Sequence, residues 1–209
     1  HTRCIRDWSS DVCSSDLGIG ISTDALETTV ATLALSAGTG GAYVLETDAL
    51  NINTVTVSVN RVGTSGTTSA VSGTWEDANT TSSGDLVIQS GGALTVNAGT
   101  SASAGISAAG KLDLKTTGAS SALTLNAAAS STGNASLQTT GSSSNIALTA
   151  ALSSSAGNVS LNASGNVTQS ATGDISLTGS GKTLDVLAGG AITIDRKSTR
   201  LNSSHGYIS

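Results

Sequence analysis

The chain has 209 residues with a formal net charge of −5, of which 37% are hydrophobic and only 2% aromatic, and it contains no proline, methionine or phenylalanine. This size predicts one domain or one stretch of a repeat array, and no apolar run is long enough to cross a bilayer. The nine basic residues form no cluster in the Ser/Thr/Gly/Ala-rich middle of the chain, which argues against nucleic acid or an anionic membrane as a partner, and a core must be built from Leu, Val, Ile and Ala.

The two ends of the chain differ in composition from everything between them. The segment from Asp7 to Leu17 reads DWSSDVCSSDL and resembles a translated sequencing adapter, and the segment from Asp195 to His205 reads DRKSTRLNSSH and resembles the same adapter read from its other strand. A single index sequence falls within the codons of Cys4-Ile5-Arg6 on one strand and encodes Gly206-Tyr207 on the other, as the adapter design requires. Residues 1–17 also lack the apolar segment of a secretory leader.

We therefore expect residues 1–17 and 195–209 to be adapter-derived and disordered, and the natural insert, about residues 18–194, to be an internal piece of a longer chain of metagenomic origin. Both cysteines and both histidines lie in the terminal segments, so no disulfide is inferred. The insert keeps ten acidic and four basic residues, which gives it a formal charge of −6.

Residues 18–83 are predicted to form irregular coils of short strands. The segments predicted as strands are Thr28 to Leu35, Ala42 to Leu45, Leu50 to Ile52 and Val55 to Val59. The stretch near 60–83 is rich in Thr, Ser and Gly and contains Trp75, the only tryptophan of the insert, beside Glu76 and Asp77. We expect this stretch to leave the coil as a surface excursion.

Residues 84–194 repeat a short unit in which a glycine or another small residue is followed by a polar residue and then by apolar, polar and apolar residues. Examples are Gly110-Lys111-Leu112-Asp113-Leu114, Gly133-Asn134-Ala135-Ser136-Leu137 and Gly157-Asn158-Val159-Ser160-Leu161, and Gly84-Asp85-Leu86-Val87-Ile88 departs from the pattern only at Val87. Alternation of period two over such short runs, bounded by Gly, Ser and Asn, predicts short strands, and no segment has a helical pattern.

The spacing of these units favours a coil of strands over an antiparallel sandwich. One series starts at Leu112, Ala135, Val159 and Leu184, with steps of 23, 24 and 25 residues, and a second starts at Leu123, Ile146 and Val167, with steps of 23 and 21. A period in the twenties is typical of a solenoid, in which each coil buries its apolar face only against its neighbours. A sandwich is the weaker prediction because proline and Asn-Gly hairpin signals are missing. We expect regular β-solenoid repeats over 84–194 and about seven coils in the insert.

Three units share the pattern apolar, Ser or Thr, apolar, Asn, Ala, and they run from Leu94 to Ala98, from Leu123 to Ala127 and from Val159 to Ala163. Alternation points the two apolar side chains inward and the hydroxyl outward. We expect each asparagine to lie at a turn, where its amide bonds the backbone or an asparagine stacked one coil away.

The repeat resembles the repetitive region of filamentous-haemagglutinin-like exoproteins and giant bacterial adhesins. The resemblance rests on the G-[D/N/K]-Φ-[S/T]-Φ units between Gly84 and Ile194 and on the stretch from Leu26 to Ile52. It implies an all-β, right-handed parallel β-helix, export across the envelope of a diderm bacterium, and service as the shaft of a secreted or cell-surface adhesin at the outer membrane. Its implied partners are a receptor or glycan on a host or neighbouring cell, met through the parent protein, and the adjacent coils of the same polypeptide.

Catalytic or metal chemistry has few candidate residues in the insert. Nucleophiles, general bases and metal sites usually draw on His, Cys or convergent carboxylates, and only carboxylates are present. Asp113 and Asp185 stand between inward apolar residues and should face solvent, whereas Asp85 and Asp174 follow corner glycines, at positions that hold Asn or Lys in other coils. Such corners do not supply the six or more oxygens that calcium takes. We therefore predict no catalytic, cofactor-binding or metal-binding residue and no cofactor.

Two functions from different classes fit these observations. Sparse charge and repeated corners favour a passive adhesive shaft whose tips or excursions meet the partner, and the main prediction is this non-enzymatic role. The alternative is a fragment of a β-helical polysaccharide-active lyase or hydrolase, since clustered carboxylates serve such enzymes. Its candidate sugar-binding cluster is Trp75, Glu76 and Asp77.

Overall fold

The computed structural model describes residues 18–101 and 104–195. Within these ranges the chain forms strands and turns without any helix, as the sequence predicts. Consequently, no helix in this part of the chain is long and apolar enough to span a membrane. Apart from Asp195, the terminal segments 1–17 and 195–209, for which an adapter origin and disorder are predicted, lie outside the described residues.

Short strands follow one another along the whole described part of the chain, and most of them have three to five residues. They are β1 (Leu26–Thr28), β2 (Thr32–Leu33), β3 (Leu35–Ala37), β4 (Ala42–Glu46), β5 (Leu50–Ile52), β6 (Val55–Val62), β7 (Thr68–Trp75), β8 (Ala78–Thr80), β9 (Leu86–Ser90), β10 (Leu94–Val96), β11 (Ala104–Ala108), β12 (Leu112–Thr116), β13 (Leu123–Leu125), β14 (Ala128–Ser131), β15 (Ala135–Thr139), β16 (Ile146–Leu148), β17 (Leu152–Ser154), β18 (Val159–Ala163), β19 (Val167–Gln169), β20 (Ile175–Leu177), β21 (Leu184–Ala188) and β22 (Ile192–Ile194).

Three parallel sheets arise because the chain passes through them in the same order in each of the first six coils, and through sheets 1 and 2 in the seventh. Sheet 1 has the order β1-β4-β9-β12-β15-β18-β21, sheet 2 the order β2-β5-β10-β13-β16-β19-β22, and sheet 3 the order β3-β8-β11-β14-β17-β20. Each successive strand of a sheet therefore belongs to the next coil, and sheets 1 and 2 both pass through seven coils. The fold is the all-β parallel β-helix that the sequence period predicts.

The strand register confirms the repeat read from the sequence. All neighbours in the two predicted series are strand partners, namely Leu112, Ala135, Val159 and Leu184 in sheet 1, and Leu123, Ile146 and Val167 in sheet 2. The steps between them are therefore true coil lengths, and the predicted number of coils is confirmed.

The core is aliphatic because buried and partly exposed residues alternate along each strand. In β12, Leu112 and Leu114 are buried while Asp113 and Lys115 are partly exposed. The largest fully buried side chains are all leucine or isoleucine, and they are Ile52, Leu86, Ile88, Leu94, Ile106, Leu112, Leu114, Leu123, Leu125, Leu137, Ile146 and Leu148. Each coil thus stabilises its neighbours through apolar burial, worth about 25 cal/mol per Å².

Polar side chains tie one coil to the next at the corners. The amide of Asn97 donates to Asn51 Oδ1 at 2.7 Å, and the amide of Asn126 donates to Asn97 Oδ1 at 3.0 Å. The Thr149 hydroxyl continues the column by donating to Asn126 Oδ1 at 2.9 Å. The predicted stacking is confirmed for Asn97 and Asn126. The prediction that Asn162 lies at a turn is wrong, because Asn162 lies inside β18. This strand of sheet 1 has five residues, two more than β19 of sheet 2, so it includes the asparagine.

The excursion predicted near 60–83 is an antiparallel hairpin formed by β6 and β7. Its ladder runs from the pair Val55 and Trp75 to the pair Val62 and Thr68. The hairpin begins earlier than predicted because the alternating segment Val55 to Val59 belongs to it and not to a coil, and the chain has rejoined sheet 3 by Ala78. The excursion therefore lies between a strand of sheet 2 and a strand of sheet 3 in the second coil.

The segment Thr28 to Leu35, predicted as one strand, is divided among β1, β2 and β3. These three strands belong to three different sheets, so the segment crosses two corners of the first coil. The sequence TTVATLAL has no glycine at either corner, so no turn signal divides it.

Candidate functional site

One face of the β6–β7 hairpin is apolar. Directly paired residues of an antiparallel ladder lie on the same side, so the pairs Val59 with Val71 and Val55 with Trp75 place their side chains together, with Val57 between them. Val59 is 59% exposed and Trp75 is 44% exposed, which are large fractions for such side chains. We call these five residues the valine face.

A glycine lets the indole of Trp75 lie against the hairpin backbone. Gly73 stands two residues before Trp75 on β7, and a Cβ at this position would overlap the six-membered ring of the indole. The ring therefore occupies the space that a side chain at residue 73 would fill. The indole therefore lies on the valine face beside Val57, the strand partner of Gly73.

The opposite face of the hairpin is lined by hydroxyls. Thr56 Oγ1 and Thr74 Oγ1 are hydrogen-bonded across the strands at 3.2 Å, and the hydroxyls of Ser58 and Ser72 are also bonded to each other. Arg61 is the one charged residue between Val55 and Trp75, and the alternation of the ladder places it on the side of the valine face, next to the hairpin tip. The hairpin is thus an amphipathic, nearly uncharged projection from an acidic chain.

Glu76 and Asp77 join the hairpin to the next coil. Asp77 Oδ1 accepts a hydrogen bond from the Gly99 N–H at 2.9 Å, and the two carboxylate oxygens of Glu76 accept from the Ser101 N–H at 3.1 and 3.0 Å. Asp77 is 6% exposed and has a φ of 64°, so it is held in a left-handed turn. Both predicted sugar-site carboxylates therefore accept backbone hydrogen bonds that fix the loop 99–101.

The hydrogen bonds of Glu76 also fix its charge state. Desolvation raises the pKa of Glu76, but hydrogen bonds from the Ser101 backbone and from the Thr100 and Thr54 side chains outweigh it and hold this pKa below its ordinary value. The general acid of a glycosidase needs a raised pKa instead. The surroundings of Glu76 consequently suit an ionised structural acceptor.

An uncharged groove of about 460 Å³ runs over sheet 3. Alanines, serines and threonines line it, among them Ser107, Ser130 and Ser153, which are strand partners in successive coils. The Ser130 hydroxyl donates to the Ile106 carbonyl at 3.4 Å. Sequence reasoning missed this groove because the strands that form it carry no apolar alternation.

The remaining aspartates do not converge. Asp113 and Asp185 occupy one outward column of sheet 1, where two serines separate them, and the prediction that they face solvent is confirmed by the exposure of Asp185 and the partial exposure of Asp113. Asp85 and Asp174 lie at different corners, because Asp85 precedes β9 of sheet 1 whereas Asp174 precedes β20 of sheet 3. Asp85 Oδ1 accepts a hydrogen bond from the Lys111 N–H at 2.7 Å. Among residues 18–101 and 104–195, no three His, Cys, Asp or Glu side chains lie close enough to hold a metal ion.

Glu46 is a buried carboxylate that the sequence does not distinguish from its exposed neighbours. It is 1% exposed, and its Oε2 accepts from the Thr28 hydroxyl at 2.6 Å and from the Val30 N–H at 3.1 Å. Its Oε1 accepts from the Thr47 N–H at 3.0 Å. Burial raises the pKa of Glu46, but the bonds from Thr28, Val30 and Asp48 outweigh it and lower this pKa below the ordinary value. Glu46 thus joins the first coil to the second as an ionised group.

Replacing Glu46 with glutamine should remove a pH-dependent part of the stability. Because the pKa of Glu46 is lowered in the folded state, its contribution is complete above the unfolded pKa of about 4.3 and is lost as pH falls through the folded value. We expect Glu46→Gln to cost about 1 to 3 kcal/mol at pH 7 and to flatten the fall in stability below about pH 4.5. Urea titrations from pH 7 to pH 3 measure both effects. The exposed Glu27→Gln is the control, and an equal change in that variant would contradict the assignment.

No family model, no curated protein and no solved structure matches this chain. The parallel β-helix is thus established by the strand register, whereas the resemblance to filamentous-haemagglutinin-like exoproteins stays a prediction.

Proposed function

We propose that this chain is part of the shaft of a large bacterial adhesin that is secreted or exposed at the cell surface. The observation that carries this proposal is the continuity of the three parallel sheets from coil to coil, with an unshifted register in sheet 1 and sheet 2 through the regular repeats. Sheet 3 has one register shift, between Ala104 and Ile106 of β11. A stack of equivalent coils grows by adding repeats and holds its outward side chains at fixed intervals of about 4.8 Å. Such a stack suits a spacer that carries contact surfaces away from a cell.

The projecting β6–β7 hairpin is the element that we assign to contact with a receptor or glycan. Val59, Val71 and Trp75 on its valine face are exposed. A contiguous exposed apolar patch is typical of an interaction site, and tryptophan is among the residues that contribute most to binding energy. The polysaccharide-active alternative gains no support from Glu76 and Asp77, because their oxygens accept backbone hydrogen bonds at the base of the hairpin.

The adhesive role predicts saturable binding of the purified chain to the surface of cultured epithelial cells or neighbouring bacteria. Labelled chain is measured by flow cytometry, before and after enzymatic removal of surface glycans or surface proteins, which separates the two partner classes. The variant Val57→Ser, Val59→Ser, Val71→Ser should bind at least about tenfold more weakly, a loss of about 1.4 kcal/mol.

The control variant is Thr56→Ala, Ser58→Ala, Ser72→Ala on the hydroxyl face, which should keep the binding of the unmodified chain. Circular dichroism of each variant confirms that the coils remain folded. Binding that does not saturate, or that both triple variants reduce equally, would contradict the proposal.

A further inference from the structure

The β6–β7 hairpin leaves both of its outer edges open. Within the residues that the structure describes, β6 and β7 pair only with each other. At the hairpin tip the Gly63 N–H donates to the Thr67 carbonyl at 2.8 Å, which makes this a hydrogen-bonded pair. Hydrogen-bonded and non-hydrogen-bonded pairs alternate along an antiparallel ladder, so the next pair, Val62 and Thr68, is non-hydrogen-bonded. The backbone groups that point away from β6, along the open edge of β7, are therefore those of Thr68, Ala70, Ser72 and Thr74.

The side chains of the ladder support this assignment. Opposite side chains stand closer together in non-hydrogen-bonded pairs than in hydrogen-bonded ones. The hydroxyls of Thr56 and Thr74 are 3.2 Å apart, and those of Ser58 and Ser72 are also bonded to each other. Both pairs belong to the set that the hairpin tip makes non-hydrogen-bonded.

The edge of β7 lacks the features with which natural proteins protect an open strand. Such edges usually carry charged side chains, proline or a bulge. Residues 68–75 contain no charged residue and no proline, and the ladder of β6 and β7 has no bulge, whereas β6 carries Arg61. A sheet of only two strands is also marginally stable in water, and further strands with an apolar face are needed for independent stability. We therefore expect another strand to pair with β7 at this edge.

We propose that a second copy of this chain supplies this strand, so that β7 pairs with β7 of the copy in antiparallel orientation about a two-fold axis at Val71. The sequence of β7 is complementary to itself in this register, because Thr68 lies opposite Thr74 and Ala70 lies opposite Ser72 in both directions. All four outward-pointing residues of each copy then exchange hydrogen bonds, about eight in total. An edge that pairs with itself is used up after two copies, so the product is a closed dimer.

The side chains on the valine face fit this register. Val59 and Val71 are partners within one hairpin, and the two-fold axis sets Val71 beside Val71 of the copy, which gives a row of four valines across four strands. Ser69 comes opposite Gly73 of the copy, over which the indole of Trp75 lies. A small side chain therefore faces the position of each ring. The dimer thereby joins the two valine faces into one apolar surface.

The contact area and the charges predict a reversible dimer. A strand of eight residues is about 26 Å long, and an edge about 10 Å thick then covers on the order of 300 Å² on each copy. This is less than half of the roughly 800 Å² per partner that is typical of stable complexes. Arg61 lies on β6, so the two arginines stay on the outer strands and do not oppose each other. The inference rests on the open edge of β7 and not on the adhesive function.

Sedimentation velocity of the full chain over a wide concentration range tests the proposal with two proline variants. Ala70→Pro removes an N–H that points out of the open edge of β7, a position at which strands tolerate proline, and should weaken dimerisation at least about tenfold. The matched control is Asn60→Pro, because Asn60 is the strand partner of Ala70 and its N–H points out of the opposite edge. It should dimerise like the unmodified chain. A monomer at every concentration, association that Ala70→Pro leaves unchanged, or equal losses in the two variants would overturn the proposal.

A charge exchange at Val71 tests the register of the dimer. The two-fold axis sets residue 71 against itself, so Val71→Lys opposes two ammonium groups and Val71→Glu opposes two carboxylates. Val71 is 46% exposed, so a charged side chain at this position remains in contact with water. Each variant alone should dimerise at least about tenfold more weakly than the unmodified chain, and an equal mixture of the two should recover the association as a mixed dimer. A mixture that associates no better than either variant alone would contradict the two-fold pairing at Val71.

Discussion

Replacing Leu137 with lysine should unfold the middle coils of the β-helix. Leu137 is fully buried in β15 and lies between Leu114 of the preceding coil and Leu161 of the following coil. The substitution removes about 1.5 to 3 kcal/mol of apolar burial. It also places an ammonium group among leucines, where several further kcal/mol are typical. We expect the free energy of unfolding to fall by more than about 5 kcal/mol, as measured by urea titration with circular dichroism.

The neighbouring variant Ser136→Lys is the matched control for Leu137→Lys. Ser136 lies on the same strand but faces outward, with Asp113 beside it in the preceding coil. A lysine at this position keeps its charge in water and should change the stability by less than about 0.5 kcal/mol. Equal losses in the two variants would contradict the assignment of inward and outward positions. Amide hydrogen exchange should further show the loss of protection spreading from β15 to β12 and β18, because each coil is supported only by its neighbours.

Sheets 1 and 2 can be predicted from the sequence for a physical reason. Their inward positions are mostly leucine, isoleucine and valine, such as Leu123 and Leu125 in β13, so apolar alternation marks each strand. Parallel pairing then places equivalent residues beside one another, which converts the spacing of the units directly into register. These two sheets therefore follow from pattern and period alone.

The strands of sheet 3 are harder to predict from the sequence, because their inward residues are buried without being strongly apolar. The inward residues of β14 are Ala129 and Ser131, and β17 ends in the buried Ser154. The Ser131 and Ser154 hydroxyls both donate to the Gly133 carbonyl at 2.8 Å, so hydrogen bonding permits their burial. A pattern that counts only apolar residues classifies such segments as turns.

The contacts of the candidate site, unlike its position, cannot be predicted from the sequence. The position of Trp75, Glu76 and Asp77 at an excursion follows from composition, and the structure places them at the base of a hairpin. The backbone hydrogen bonds of the two carboxylates join positions 22 to 25 residues apart, so no local sequence signal reports them. The buried Glu46 belongs to the same class, since its partners Thr28 and Val30 lie in the previous coil.

A column of glycines sets how closely the coils approach at the corner between sheets 1 and 2. A Cβ at Gly141 would lie closer than 3.0 Å to the carbonyl oxygen and carbon of Gly118, and a Cβ at Gly118 would meet the Gly91 carbonyl in the same way. All of these obstacles are backbone atoms, which move only if the coils separate. Hydrogen bonds such as Ser120 N–H to the Ser142 carbonyl at 2.9 Å hold the coils together at this corner.

Replacing Gly141 with alanine should therefore destabilise the β-helix by about 3 kcal/mol, because the added methyl forces the fourth and fifth coils apart at their corner. Urea titration measures the loss, and amide exchange should locate it at the corner amides of Ser120 and Thr140, which donate across this junction. The control is Gly63→Ala at the hairpin tip, where a Cβ would come no closer than 3.5 Å to the Thr67 carbonyl and where the cost should stay below about 0.5 kcal/mol. If Gly141→Ala lost no more stability than Gly63→Ala, close backbone contact between coils would not be what requires glycine in this column.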